Sequence, residues 1–153
     1  MTARFPTPIL DALREHARAC FPEEACGFVI ERDGRLEAVR VENIQNRKHA
    51  EDPERFPRTA ATAYTMGGDA VPVLVGHERG ELVIRAIYHS HPQHAAYFSA
   101  EDKRQATVWD EPSYPDAAQL VFSVIDGEVR DAKAFRWDAA ARDFVEVALA
   151  GDA

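Results

Sequence analysis

The run ELVIRAIYHSHP, residues 81–92, constrains the fold of this chain more than any other stretch. From Leu82 to Tyr88 only Arg85 is charged, so an extended segment here must be covered on both faces. Strand periodicity sets Leu82, Ile84, Ala86 and Tyr88 on one side, and Val83, Arg85, Ile87 and His89 on the other. The reading is a central strand of a sheet, with the remaining chain packed above and below it.

That remainder supplies both layers. TPILDALREHARACFP predicts a helix over 8–20, with Thr7 as cap, Pro8 in the first turn and Pro22 as the stop. Ile9, Leu10, Leu13 and Ala17 recur along it at helical spacing. ACGFVIERDGRLEAVRVENI reads as a hairpin turning at Asp33-Gly34. Residues 45–69 carry prolines, a glycine pair and charges, which predicts an irregular exposed segment with a short helical turn. AVPVLVGHERG is open between a strand, from its β-branched content, and a helix capped by Asp69 with Pro72 in its first turn. SAEDKRQATVW predicts a helix over 100–109 with Ser99 as N-cap. A second hairpin turns at Asp126-Gly127, and FVEVAL is a last strand. The order gives an α/β protein: a single mixed-sheet domain flanked by helices, spanning residues 1–153.

Charge and cysteine use narrow the function classes. A net charge of -8 repels phosphate backbones and argues against nucleic-acid binding. There is no basic start followed by an apolar segment, and no run approaching the roughly 18 apolar residues of a membrane span. Cys20 and Cys26 read as reduced thiols. The expectation is a cytoplasmic protein that does not engage membranes.

The chemistry concentrates after the central strand. His89 and His91 are two apart, so both imidazoles reach the same side of it. A six-residue loop, Gln93 to Phe98, leads to Ser99 and the helix whose first turn carries Asp102. Two histidines and one carboxylate, with a fourth position open, form the donor set of a catalytic rather than a structural zinc site. Zinc in such a site lowers the pKa of its water toward about 7. Glu24, at the entrance to the first hairpin, is a candidate base, and Ser99 a candidate donor to an oxyanion. Each has a plainer reading. Asp102 complements a helix start, Ser99 is a cap, Glu24 is a surface carboxylate and Cys26 a small buried residue. His94 reads as solvated, and His16, His49 and His77 have no evident partner.

HSHP, six residues, then SAED resembles the signature of the JAMM (MPN+) metalloprotease family, His-x-His-Pro followed by Ser-x-x-Asp. EACGFVI resembles that family's Glu-x-Cys-Gly segment. The chain is similar to its short stand-alone prokaryotic members, which implies the JAMM/MPN (cytidine-deaminase-like) fold and a helix before the HSHP strand. The resemblance implies zinc held by His89, His91 and Asp102, Glu24 as general acid/base (Glu23 is one place off), and Ser99 stabilising the tetrahedral intermediate. It also implies hydrolysis after the C-terminal Gly-Gly of a ubiquitin-like or sulfur-carrier protein. The alternatives are an MPN-like binding scaffold and a metallohydrolase for a small amide.

Overall fold

The computed structural model describes residues 2–151. In chain order the elements are β1 (Thr2–Phe5), α1 (Thr7–Cys20), β2 (Cys26–Arg32), β3 (Arg35–Val41), α2 (Gln45–Glu51), α3 (Val71–Glu78), β4 (Val83–Pro92), α4 (Ala100–Ala106), β5 (Thr107–Val108), β6 (Glu111–Pro112), β7 (Ala118–Ile125), β8 (Glu128–Asp138) and β9 (Asp143–Gly151). Seven strands form one mixed sheet in the order β1-β9-β8-β7-β4-β2-β3. The β4 strand is interior, antiparallel to β2 and parallel to β7.

Both hairpins turn where the sequence indicates. Asp33 and Gly34 have φ of 53° and 75°, and Asp126 and Gly127 have 52° and 83°. Two successive left-handed residues match the right-handed twist of the flanking strands. The α1 helix buries Leu10, Leu13, His16 and Ala17. The apolar members of that stripe join Ala3, Phe5, Val29, Ala86, Tyr88, Leu120 and Phe122 in the larger core. The opposite face holds Cys26, Phe28, Ile30, Val41, Tyr64, Val73, Leu82 and Ile84.

The strict alternation expected along residues 82–89 does not hold. Val29 pairs with Ala86 but Ile30 pairs with Ile84, so Arg85 is left over as a bulge. The extra residue reverses the facing of the strand. Ile84 therefore joins Ile87 on the second face, while Ala86 and Tyr88 point toward α1. Arg85 is pushed to the surface, 3.0 Å from Glu31.

Other boundaries shift for local reasons. Residues 71–78 form a helix, as the family resemblance implies, but Asp69 does not cap it: its carboxylate accepts the Glu42 N–H. Pro6 rather than Thr7 occupies the N-cap of α1. The α4 helix stops at Ala106, short of 109, because Thr107 and Val108 turn into a two-residue strand paired with Glu111–Pro112. The β1 strand, unread in the sequence, pairs in parallel with β9 from Thr2↔Ala148 to Phe5↔Gly151. Among the described residues no helix is long and apolar enough to cross a membrane.

Candidate metal centre

The register of β2 on β4 fixes the site. Cys26 faces His89, and the backbone pairing continues one step further, with the Ser90 N–H donating to Ala25 O at 3.0 Å. Glu24 is thereby carried to the level of His91. The Ser90 side chain points away from the two histidines, and its Oγ accepts the Ala25 N–H at 2.7 Å. Asn43 holds the same stretch from the other side. Its Nδ2 donates to Glu24 O at 3.0 Å and Ala63 O at 3.1 Å, while its Oδ1 accepts from Gln45 N at 3.0 Å and Thr65 N at 3.1 Å. The Glu24 N–H donates to Ala60 O at 2.8 Å.

Asp102 arrives from α4. Ser99 Oγ accepts the Asp102 N–H at 3.0 Å, and Asp102 Oδ2 accepts the Ser99 N–H at 2.9 Å. This reciprocal capping box orients the carboxylate as well as starting the helix. Accepting one bond leaves the Ser99 hydroxyl proton free to donate. The cap reading and the pocket reading of Ser99 therefore coexist.

The three candidate ligands converge. His89 Nε2 lies 3.1 Å from His91 Nε2 and 3.1 Å from Asp102 Oδ1, and His91 Nε2 lies 3.2 Å from Asp102 Oδ2. All three residues are buried. Donors about 2.0–2.1 Å from a tetrahedral zinc stand about 3.3 Å apart, so the set closes around such an ion with little movement. The His91 tautomer agrees. His91 Nδ1 donates to Ala95 O at 2.9 Å, which leaves Nε2 with its lone pair facing the cluster. His89 is packed under Tyr64, with ring centroids 5.0 Å apart, and Tyr97 covers His91 at 5.1 Å.

Electrostatics keep His89 and Asp102 in ligating form. Burial lowers the His89 pKa, holding it neutral. Burial works against the Asp102 carboxylate, but its bonds to His89 and His91 outweigh that and hold it well below the usual range. Burial also opposes charge on His91, yet Asp102 and the Ala95 carbonyl raise its pKa. Glu24 differs. It is 5% exposed, its Oε1 has no hydrogen-bond partner, and burial raises its pKa to about 8.

A cavity of about 310 Å³ opens beside the trio, lined by Glu24, Arg58, Thr62, His91, His94, Tyr97, Ser99 and Asp102. The sequence-derived residues thus meet at one place. Glu23 is turned away, accepting from Asn46. Burial drives the Cys26 thiol far up, so it offers no thiolate. The three histidines without evident partners have them: His16 with the Tyr88 hydroxyl, His49 with Phe56 O and His77 with Ile84 N. Asn43, Ser90 and Arg58 were not anticipated. Only Asn43 left a usable signal, an Asn after a strand whose side chain accepts the N–H two residues on.

The solution structure of a protein from Desulfitobacterium hafniense matches with a TM-score of 0.64 at 21% identity, covering 100% of this chain and 94% of that one. That of a Salinibacter ruber protein matches with a TM-score of 0.60 at 24% identity, covering 97% of this chain and 90% of that one. A JAB1/MPN domain protein from Archaeoglobus fulgidus is more distant, with a TM-score of 0.47, 12% identity, and coverage of 93% and 94%. No curated protein matches the sequence. The profile described as prokaryotic homologs of the JAB domain, Prok-JAB, matches residues 6–138, from the start of α1 through β8 and across the whole candidate site, and the chain belongs to that family.

Proposed function

We propose that this protein is a zinc-dependent peptidase or isopeptidase that cleaves after the C-terminal Gly-Gly of a ubiquitin-like or sulfur-carrier protein. The observation that carries the reading is the convergence of His89, His91 and Asp102 with an unpaired Glu24 carboxylate in the same cavity. Membership in a family that includes metalloisopeptidases supports it.

His89, His91 and Asp102 would hold the zinc, which would supply Lewis acidity and a water of lowered pKa. Glu24 takes the proton of the attacking water at its free Oε1. A carboxyl raised to about 8 exchanges a proton readily near neutral pH. The Ser99 hydroxyl, unspent as a donor, is available to the developing oxyanion. Glu24 then gives its proton to the leaving amine. A Gly-Gly tail suits a buried site because it brings no side chains to the approach.

The test is a ubiquitin-like protein extended beyond Gly-Gly, incubated with zinc-loaded protein and read by mass spectrometry. A single cut after the second glycine is expected, lost with chelator, with Glu24→Gln and with an Ala-Ala substrate. Elemental analysis should give about one zinc per chain, lost in the His89→Ala, His91→Ala double variant. Intact substrate with a fully zinc-loaded protein would favour the scaffold alternative. Equal cleavage of the Ala-Ala form would mean a broader metallohydrolase.

A further inference from the structure

The face of the sheet that carries Phe28 is not fully covered. Between α3 and α4 it opens into a second cavity of about 200 Å³, which shares no lining residue with the one beside the metal trio. Phe28, Ile87 and Gln119 come from three adjacent strands, and Tyr64, Leu74 and Tyr114 close in around them. No lining side chain is charged, although 29% of the chain is. Gln119 is out of place there. Its neighbour Leu120 joins the core under α1, so Gln119 faces the opposite way, in register with Ile87. It is 4% exposed, and among the described residues nothing hydrogen-bonds its side-chain amide. Tyr64 is 8% exposed, and its hydroxyl likewise has no partner among the described residues. Other polar groups of the lining are already committed: Gln105 Nε2 donates to Tyr64 O at 3.0 Å, and the Thr65 hydroxyl to Gln45 Oε1 at 2.6 Å. A buried amide left unpaired costs stability that an apolar side chain of the same shape would not. No contact within the described fold accounts for it.

We propose that this cavity is a binding site for a small, neutral, planar molecule, about one ring in size, whose N–H and C=O lie side by side and pair with the Gln119 amide. Each part of that description has its own source. An apolar cavity of about 150 Å³ takes benzene, so about 200 Å³ takes one ring with a small substituent. The rings of Phe28, Tyr64 and Tyr114 favour an aromatic or conjugated occupant. An ion would lose its hydration with no opposite charge to receive it. A carboxamide presents one acceptor oxygen and two N–H donors, and a second amide edge matches it with two hydrogen bonds. Tyr64 also stacks on His89, ring centroids 5.0 Å apart, so the occupant shares a wall with the candidate metal centre. The site does not depend on the hydrolase reading.

The experiment titrates the whole chain, with zinc added, with three probes of similar shape: benzamide, benzoate and toluene. Binding is read by NMR on the Gln119 side-chain amide and on the backbone N–H signals of Ile87 and Ala106, which report this cavity. Benzamide should bind with a Kd of about 0.1–1 mM, and benzoate at least about 10-fold more weakly. Gln119→Leu should weaken benzamide about 5- to 100-fold, leave toluene no weaker, and melt no lower than wild type, because it removes an unpaired amide. Leu74→Phe, which fills the cavity from α3, should exclude benzamide and toluene alike. Equal binding of benzamide and benzoate, no binding of benzamide at about 10 mM, or shifts confined to residues around His91 would overturn the proposal. So would benzamide binding unchanged in Leu74→Phe. A Gln119→Leu protein that melts well below wild type would assign the amide to the fold, and the proposal fails with it.

Discussion

Gly27→Ala in the EACG segment should damage the fold before it damages the chemistry. An added Cβ would lie 2.2 Å from Val39 O, 2.7 Å from Tyr88 Cε1 and 2.7 Å from the Tyr88 hydroxyl oxygen. Real Cβ contacts do not fall below 3.0 Å, so either β3 parts from β2 or the Tyr88 ring moves. Neither is free. Tyr88 is fully buried, packed edge-on against His16 at 5.8 Å and Phe122 at 6.3 Å, and its hydroxyl shares a 2.6 Å hydrogen bond with His16 Nδ1. Overpacking costs about 1–3 kcal/mol. Freeing a buried hydroxyl and imidazole adds about 1–3 kcal/mol. The sum, about 2–6 kcal/mol, is a large share of the roughly 5–15 kcal/mol that holds a domain folded. At about 2–4 °C per kcal/mol for a chain of this size, the melting temperature should fall by about 4–24 °C. Circular-dichroism melts measure this directly. Adding Tyr88→Phe should recover little of the loss, since it removes the hydroxyl clash but leaves those with Tyr88 Cε1 and Val39 O. A Gly27→Ala protein melting within about 2 °C of wild type would refute the packing argument.

Stability should also respond to pH through two buried groups. Glu24 has a folded pKa of about 8 against 4.5 unfolded, so its neutral form favours the fold below 4.5 and that stability is lost as pH rises toward 8. In metal-free protein the loss approaches a ceiling of about 5 kcal/mol, and Glu24→Gln should gain on wild type in thermal melts from pH 5 to pH 8; parallel curves would count against it. His16 runs the other way. Burial lowers it to about 4, so stability is lost as pH falls from 6.5 to 4, by about 1–2 kcal/mol, and urea titrations of His16→Gln should lack that acid limb. Asn43→Ala strands four backbone partners and should cost about 2–4 kcal/mol in urea unfolding, with zinc binding retained because none of the three ligands touches it. An unchanged midpoint would mean water replaces the amide.

The elements legible in the sequence were those set by local rules. The two Asp-Gly turns and the apolar stripe of α1 depend on neighbours within a few residues. The bulge at Arg85 does not: it is a mismatch between two strands, and periodicity along one strand carries no trace of it. The β1 strand was missed because TARF is four residues whose strand identity comes from pairing with β9, at the far end of the chain. Asn43 and Gln45 read as ordinary polar residues because their partners are carbonyls and amides up to 22 positions away.

The candidate site was more legible than the fold around it, and the reason is geometric. A strand fixes the facing of residues two apart, and a helix start fixes the residue three after its cap. His89 with His91, and Ser99 with Asp102, are therefore pairs whose spacing already determines their relation. For Ser99 and Asp102 the plain and the chemical readings are not rivals. The capping box that starts α4 aims the Asp102 carboxylate at both imidazoles. The pair can serve a metal site because it works as a cap. Replacing Ser99 by a residue that caps without a side-chain hydroxyl proton, such as Asp, separates the two contributions: α4 and zinc binding should persist, and any hydrolysis that depends on the hydroxyl as a donor should fall. Zinc lost together with the helix would mean that the cap alone explains the serine.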